Sequence, residues 1–102
     1  MSPDKSKTTP PDFLVHDDRD DAGVVVVEGV ETGQVLCGWS MEADRTIEVK
    51  TLDPIPLGHK VALRDIAEGA DVLKYGEVIG RAIAAIPAGS HLHVHNTKTK
   101  KW

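Results

Sequence analysis

The residues with the clearest chemical potential lie near the C-terminus, in the segment Ile-Pro-Ala-Gly-Ser-His-Leu-His-Val-His-Asn at positions 86–96. Side chains of a β-strand alternate between its two faces, so His91, His93 and His95 are predicted to share one face. The two apolar residues between them would then anchor the other face in a core. Three imidazoles on one face indicate a metal site or a site for an anionic substrate.

The spacing of these histidines limits how many can bind one ion. Residues two apart on a strand are separated by about 6.5–7 Å, so a neighbouring pair can turn both rings onto one ion or substrate. His91 and His95 would lie about 13 Å apart and could not easily share an ion. The sequence therefore predicts two histidine ligands, completed by groups from elsewhere. The alternative is an edge strand that carries solvated histidines.

A second candidate segment, positions 59–64, reads His-Lys-Val-Ala-Leu-Arg. As a strand it places Lys60 and Arg64 on one face and the apolar Val61 and Leu63 on the other. Two cations on one strand face could hold a carboxylate or a sulfonate. The alternative is an ordinary solvated face.

An acidic turn at positions 17–21 precedes four valines at positions 24–27. The valine run predicts a strand buried on both faces, and the turn is most simply a solvated loop. The alternative is a site in which Asp20 or Asp21 binds a metal or orients a histidine.

Length and composition exclude several classes of function. A chain of 102 residues fits one domain. Its net charge is −4 and its cations are scattered, so the sequence contains no basic patch that would bind nucleic acid. Cys37 is the only cysteine, which excludes an internal disulfide and a cysteine-rich zinc site. Without a stretch resembling a membrane span or a signal peptide, we expect a cytoplasmic protein with no membrane partner.

A recurring turn predicts the fold class. An apolar residue, two turn residues and a glycine precede a strand at Ile55–Gly58, Ile66–Gly69 and Ile86–Gly89, with a looser copy at Val30–Gly33. The glycine would supply the positive φ of the turn. Repeated turn-and-strand units predict an all-β domain at residues 13–96. We expect a disordered leader at residues 1–12 and a basic tail at residues 97–102.

Three motifs carry a family resemblance. They are Gly-His-Lys-Val-Ala-Leu-Arg-Asp-Ile at 58–66, Lys-Tyr-Gly-Glu-Val-Ile-Gly at 74–80, and the Ile86–Gly89 turn followed by His-Val-His-Asn at 93–96. Together they resemble the SAF domain of the altronate and galactarate dehydratase family, over about residues 13–96. Within it, the chain is most similar to the small alpha subunits of (2R)-sulfolactate sulfo-lyases.

The resemblance implies a β-clip fold and lyase chemistry on an anionic 2-hydroxy acid. The expected reaction converts (2R)-3-sulfolactate to pyruvate and sulfite, with a divalent metal, iron in much of the family, which the large subunit could largely hold. Fused dehydratases continue into a large catalytic domain where this chain stops at Trp102. We therefore expect a separate large subunit, a hetero-oligomer, and no activity from this chain alone. The alternatives are a small subunit of an altronate or galactarate type of dehydratase and a non-catalytic SAF binding or assembly module.

The resemblance also assigns site residues. It implies that His93 and His95 are catalytic and metal-ligand candidates, with substrate contact or protonation of the leaving group left equally open. The implied substrate-binding residues are Asn96, His59, Lys60 and Arg64. His16, Asp20 and Asp21 fit the family pattern as further candidates, whereas His91 is a variable position and is set aside.

Overall fold

The computed structural model describes residues 11–17, 19–42, 45–74, 77–93 and 95–99. The regular structure in these ranges consists of strands, which confirms the predicted all-β class. The strands are β1 (Phe13–Val15), β2 (Ala22–Val25), β3 (Val35–Ser40), β4 (Arg45–Lys50), β5 (Lys60–Ala62), β6 (Asp71–Lys74), β7 (Glu77–Ala82), β8 (His91–Leu92) and β9 (Thr97–Thr99). Within the described ranges, the structure contains no helix with the length and apolar character needed to cross a membrane.

The strands form two sheets that join distant parts of the chain. The larger sheet has the order β4-β3-β1-β2-β5-β8, and the smaller has the order β6-β7-β9. β1 and β3 run parallel, and the other strand pairs are antiparallel. Because β5 lies between β2 and β8, the histidines near positions 59 and 91 become neighbours in space.

The recurring turns form as predicted and fix the starts of β5 and β8. Their apolar residues are buried and pair by isolated bridges, Val30 with Ile55 and Ile66 with Ile86. The glycines that follow, Gly33, Gly58, Gly69 and Gly89, have φ angles of 83–90°. Gly89 is doubly constrained, since a Cβ atom there would collide with the backbone carbonyl of Lys50. One such turn ends just before His59 and another just before Ser90 and His91.

Two buried clusters support the sheets, and β5 contributes to both. Val61 packs in a first cluster with Phe13, Val25 and Leu36. Ala62 packs in a second cluster that also contains Ile66, Val72, Ile79, Ile86 and Leu92. Burying one leucine contributes about 1.5–3 kcal/mol, so the fully buried Leu92 anchors β8 firmly beside β5.

The valine run at positions 24–27 is not the doubly buried strand that the sequence predicted. β2 begins earlier, at Ala22, and ends at Val25, and Val26 is 39% exposed. The strand is defined by backbone pairing of Ala22, Gly23 and Val24 with β5. Hydrophobicity marks residues that suit a strand, but the length of the neighbouring strand decides where pairing ends.

Both ends of the folded part extend beyond the predicted boundaries. Asp12 exchanges two hydrogen bonds with the backbone of Cys37, at 2.8 and 2.9 Å. Thr97–Thr99, predicted as tail, forms β9 and pairs with β7. Such polar residues join a sheet because pairing uses backbone groups, which sequence polarity does not reveal. The predictions for residues 1–10, the turn at 75–76, Val94 and Trp102 lie outside the described residues.

Candidate active site

β5 and β8 bring His59 and His91 side by side. Val61 lies opposite His91 in the antiparallel pair, and His59, two residues before Val61, comes to the same face. The Nδ1 atom of His59 lies 2.8 Å from the Nε2 atom of His91, a hydrogen-bonding distance. The sheet therefore holds two imidazoles together that are far apart in sequence.

The chain turns directly after β8 and returns the next two histidines toward the first pair. The ring centroid of His93 lies 4.5 Å from that of His59 and 5.5 Å from that of His91. The rings of His91 and His95 are 5.2 Å apart. The prediction that this outer pair would be about 13 Å apart is wrong, because the strand ends at Leu92 instead of continuing to residue 95.

Asn96 stabilises the turn that carries His93 and His95. Its Oδ1 atom accepts a hydrogen bond from the backbone N–H of His93 at 3.1 Å, and its Nδ2 atom donates to the carbonyl of His91 at 2.8 Å. Both ends of the amide therefore contact backbone. The resemblance implied substrate binding by Asn96, whereas its observed contacts position the histidines.

Three of the imidazoles could hold one metal ion. The potential ligand nitrogens of His59, His91 and His93 all lie within 4.8 Å of one another. Nitrogens bound to one ion at about 2.1 Å are separated by roughly 3–3.5 Å, so small side-chain rotations would complete such a site. This group contains His93 as predicted, but in it His59 and His91 take the place expected for His95.

The electrostatics of the cluster suit metal binding. Burial, assisted by the neighbouring His59 imidazole, lowers the pKa of both His91 and His93. The neutral imidazole is the form that binds a metal, because its second nitrogen keeps a lone pair. The backbone N–H of His91 also donates to the Asp53 carboxylate at 2.9 Å, which fixes the strand that carries this ring.

Sequence reasoning set His91 aside although the structure places it inside the cluster. The available signal was the shared turn: His59 follows Gly58 directly, and His91 lies two residues after Gly89. Both turns have the same pattern, and a histidine lies at or just before the start of the strand that follows each one. This similarity is compatible with pairing of β5 and β8. The pairing itself is a long-range property that the sequence pattern did not specify.

A second group of charged residues lies next to the histidines. Lys60 is half-buried on β5, Lys74 at the end of β6 is 3% exposed, and Asp20 is fully buried. Burial lowers the pKa of Lys74, Asp20 acts in the opposite direction, and Lys60 lowers this pKa further. Lys60 also lowers the pKa of His93, which connects the two groups electrostatically. Lys74 was missed in the sequence because it precedes a predicted turn, although alternation with Val72 places it on the buried face.

Arg64 and Asp21 form a different contact. Arg64 donates to the carbonyl of Asp20 at 3.0 Å, and its Nε atom lies 3.4 Å from the Asp21 carboxylate. Asp21 also accepts a hydrogen bond from the backbone N–H of Leu73 at 2.9 Å. These contacts tie the start of β2 to β6 and to the residues after β5. Arg64 further lines a cavity of about 220 Å³ with Arg45, Ile47, Leu63, Val15 and Asp20.

The remaining candidate, His16, lies on the exposed part of the acidic turn. The adjacent Asp17 carboxylate accepts hydrogen bonds from the Arg19 guanidinium at 3.0 and 3.1 Å and from the Arg19 backbone at 2.8 Å. These hydrogen bonds lower the pKa of Asp17 to about 2. The Arg19 contacts therefore order the first part of the turn, and the backbone N–H of Glu42 donates to the His16 carbonyl at 3.2 Å.

Comparison with known proteins gives the family context of this site. The chain is 57% identical over 91 residues to the (2R)-sulfolactate sulfo-lyase subunit alpha of Chromohalobacter salexigens, covering 89% of this chain and 97% of that protein. It is 50% identical over 48 residues to the subunit of the same name from Paracoccus pantotrophus, covering 47% of this chain and 72% of that protein.

A larger relative shares only the region of this chain. The altronate dehydratase of Bacillus subtilis is 40% identical over 81 residues, which cover 79% of this chain but 15% of that enzyme. The family model described as altronate/galactarate dehydratase SAF domain matches residues 11–100, nearly the full length of the chain. Because that match includes both histidine segments and all nine strands of the described structure, the chain belongs to the altronate/galactarate dehydratase SAF domain family.

Proposed function

We propose that this chain is the small alpha subunit of a (2R)-sulfolactate sulfo-lyase. The 57% identity to a subunit of that name extends over 97% of the relative's length, so the two proteins correspond nearly end to end. The observation that carries a catalytic role is the convergence of four imidazole rings from two segments, with neighbouring centroids 4.5–5.5 Å apart. The cytoplasmic location remains a prediction.

The reaction requires groups that this site offers. A base removes the proton from C2 of sulfolactate, the C2–C3 double bond forms, and the C3–S bond breaks as sulfite leaves with the bonding electrons. The resulting enol gives pyruvate. A neutral imidazole is suited to take a proton near pH 7, and His95, which lies outside the group of three potential metal ligands, is the candidate base. His95, on the exposed side of the turn, can hydrogen-bond to the substrate or protonate the enol.

We further propose a divalent metal, iron by family resemblance, held by His59, His91 and His93. The ligand nitrogens lie close enough for one ion, and burial favours the neutral forms of His91 and His93. Such an ion would stabilise the negative charge that develops on the carboxylate and the 2-hydroxyl group. Three histidines leave room for the substrate and for ligands from a second polypeptide.

A partner subunit completes this proposal. The relatives that match along most of their length are named as alpha subunits, and an enzyme with an alpha subunit has at least one more. The histidine cluster is only half-buried, with His95 exposed, so its open side suits a second polypeptide that excludes water. We expect a large catalytic subunit to cover this side.

A sugar-acid dehydratase is the second candidate function. The 40% identity to the altronate dehydratase of Bacillus subtilis favours shared chemistry, because dehydration also removes a proton next to a carboxylate. The chain nevertheless spans only 15% of that enzyme, which makes it a weaker guide to substrate. A non-catalytic assembly module would need no cluster of neutral imidazoles, so the site favours the lyase.

Co-production with the proposed large subunit tests the proposal. We expect the complex to release sulfite and pyruvate in equal amounts from (2R)-sulfolactate, with little turnover of altronate or galactarate. Each subunit alone should be inactive, and mixing should restore activity. Full activity of the large subunit alone would exclude a catalytic role for this chain, and preferential dehydration of a sugar acid would favour the second candidate.

A further inference from the structure

Lys74 is the most buried cation in the described part of the chain, with 3% of its surface exposed. A buried ammonium group is costly, and a lysine is retained in such a place mainly where its charge has a use. Its position is rigidly defined, because the backbone N–H of Asp21 donates to the carbonyl of Leu73 at 2.9 Å while the Asp21 carboxylate accepts from Leu73 N–H. The preceding residue thereby fixes Lys74 beside the start of β2.

Lys60 approaches the same place from the other side of β2. This strand pairs with β5 and also contacts β6. Lys60 shares a strand face with Ala62, and Lys74 shares one with Val72, and both apolar residues belong to the second core cluster. The two lysine side chains therefore leave their strands toward the same core, close to the fully buried Asp20.

Lys60 connects these charged groups to the histidine site. It directly follows His59, it lies opposite Leu92, the residue before His93, and its charge lowers the pKa of His93. The two ammonium groups are close enough for Lys60 to lower the pKa of Lys74 by charge repulsion. An oxyanion group bound between them would relieve this repulsion and accept charge-assisted hydrogen bonds from both.

We propose that Lys60 and Lys74 form a subsite that binds one oxyanion group of the substrate, a carboxylate or a sulfonate, beside His93. The inference rests on the proposed function for the identity of the substrate and adds Lys74 as a substrate-binding residue. Lys60, which is half-buried, presents the charge nearer the surface, and Lys74 holds the anion from below. Anchoring one charged end of a 2-hydroxy acid here positions its C2 proton near the imidazoles.

Kinetics of the assembled complex test Lys74 directly. Lys74→Met should raise the KM for sulfolactate about tenfold or more, with a smaller change in kcat, because a charge-assisted contact to the substrate is lost. Lys74→Arg should recover part of the affinity because it keeps the charge. Lys98→Met, which removes an exposed lysine from β9, is the matched control and should leave KM unchanged. An unchanged KM in a folded, assembled Lys74→Met complex would overturn the proposal.

Anion binding supplies a readout independent of turnover. In full-length chain labelled with ¹³C-lysine and bound to its unlabelled partner, the Lys60 and Lys74 side-chain resonances should shift on titration with a small anion, and the Lys98 resonance should not. Lactate reports carboxylate binding and 2-hydroxyethanesulfonate reports sulfonate binding, so the more effective anion identifies the group that is held. If Lys74→Met does not fold, the KM of the Lys60→Met complex and the lysine resonance shifts test the proposal instead.

The outcomes separate this inference from the proposed function. Lysine shifts with an inactive complex would retain the anion subsite and reject sulfolactate as the substrate. An active complex without lysine shifts and without a KM effect of Lys60→Met would retain the lyase and reject the subsite.

Discussion

At the scale of single residues, the site depends on imidazoles that stay neutral. His91 and His93 reach that state through burial and mutual proximity, which are properties of the folded chain. The sequence predicted His59 and His93 as site residues through family motifs. It could not predict His91, because this ring joins the cluster only through the pairing of β8 with β5.

The lowered pKa values of His91 and His93 predict how stability depends on pH. In the unfolded chain these groups titrate near pH 6.5, whereas in the folded chain they bind protons only at lower pH. The unfolded state therefore binds more protons below pH 6.5, and the free energy of unfolding should fall as pH decreases from 6.5. Urea denaturation at pH 7.5 and pH 5 in the presence of a chelator measures the effect.

Two variants assign this pH dependence. His93→Gln should reduce the difference between pH 7.5 and pH 5, since it removes one group that the unfolded chain protonates preferentially. His16→Gln, at an exposed position, is the control for the loss of a histidine. A stability that is equal at both pH values in the unsubstituted chain would contradict the assignment.

Metal binding by the cluster makes a separate prediction. The full-length chain should bind Co²⁺ and develop visible absorption, because three nitrogen ligands displace water from the ion. His59→Gln, His91→Gln and His93→Gln should each weaken binding about tenfold or more, whereas His16→Gln should not. Equal binding by all four variants would exclude a shared site for the three rings.

At the scale of elements, two short features shape the site. The glycine turns were predictable from sequence, since each repeats an apolar residue, two turn residues and a glycine of positive φ. The end of β8 at Leu92 was not predictable from alternation, which continues through residue 95. Asn96 causes the difference, because its amide binds the backbone at both His91 and His93 and favours a turn.

Substitution of Asn96 tests its positioning role. Asn96→Ala should lower the free energy of unfolding by about 1–3 kcal/mol, because half-buried backbone groups lose hydrogen-bond partners. It should also weaken Co²⁺ binding by displacing His93. Asn96→Asp keeps the acceptor for His93 N–H and loses only the donor to His91, so its effects should be smaller. Wild-type Co²⁺ affinity in a folded Asn96→Ala protein would show that the turn forms without this side chain.

At the scale of the whole molecule, the order of the strands assembles the site. β5 begins with Lys60, directly after His59, and it lies between β2, which follows Asp20, and β8, which begins with His91. The all-β class was predictable from the spacing of turns. The sheet order was not, because strands of two to six residues contain too little pattern to specify their partners. The burial of Lys74 depends on that order and was missed for the same reason.

The whole-molecule arrangement also explains why this chain needs a partner. Segments at β5 and β8 supply the histidines, and among the described residues His95 is exposed and the other three rings are half-buried. Chemistry that stabilises an enolate requires exclusion of water, which a site this open does not provide alone. The names of the relatives, which are alpha subunits, agree with a second polypeptide that covers this site.

Sulfite release by the complex of this chain with the proposed large subunit is the most direct test of the account. With His93→Gln, we predict a fall in kcat of about a hundredfold or more, as expected for the loss of a group that would hold the metal. The complex with His16→Gln should retain the activity of the unsubstituted complex. If complexes carrying His59→Gln, His91→Gln and His93→Gln all assemble and release sulfite at the rate of the His16→Gln control, the histidine cluster is not part of the active site.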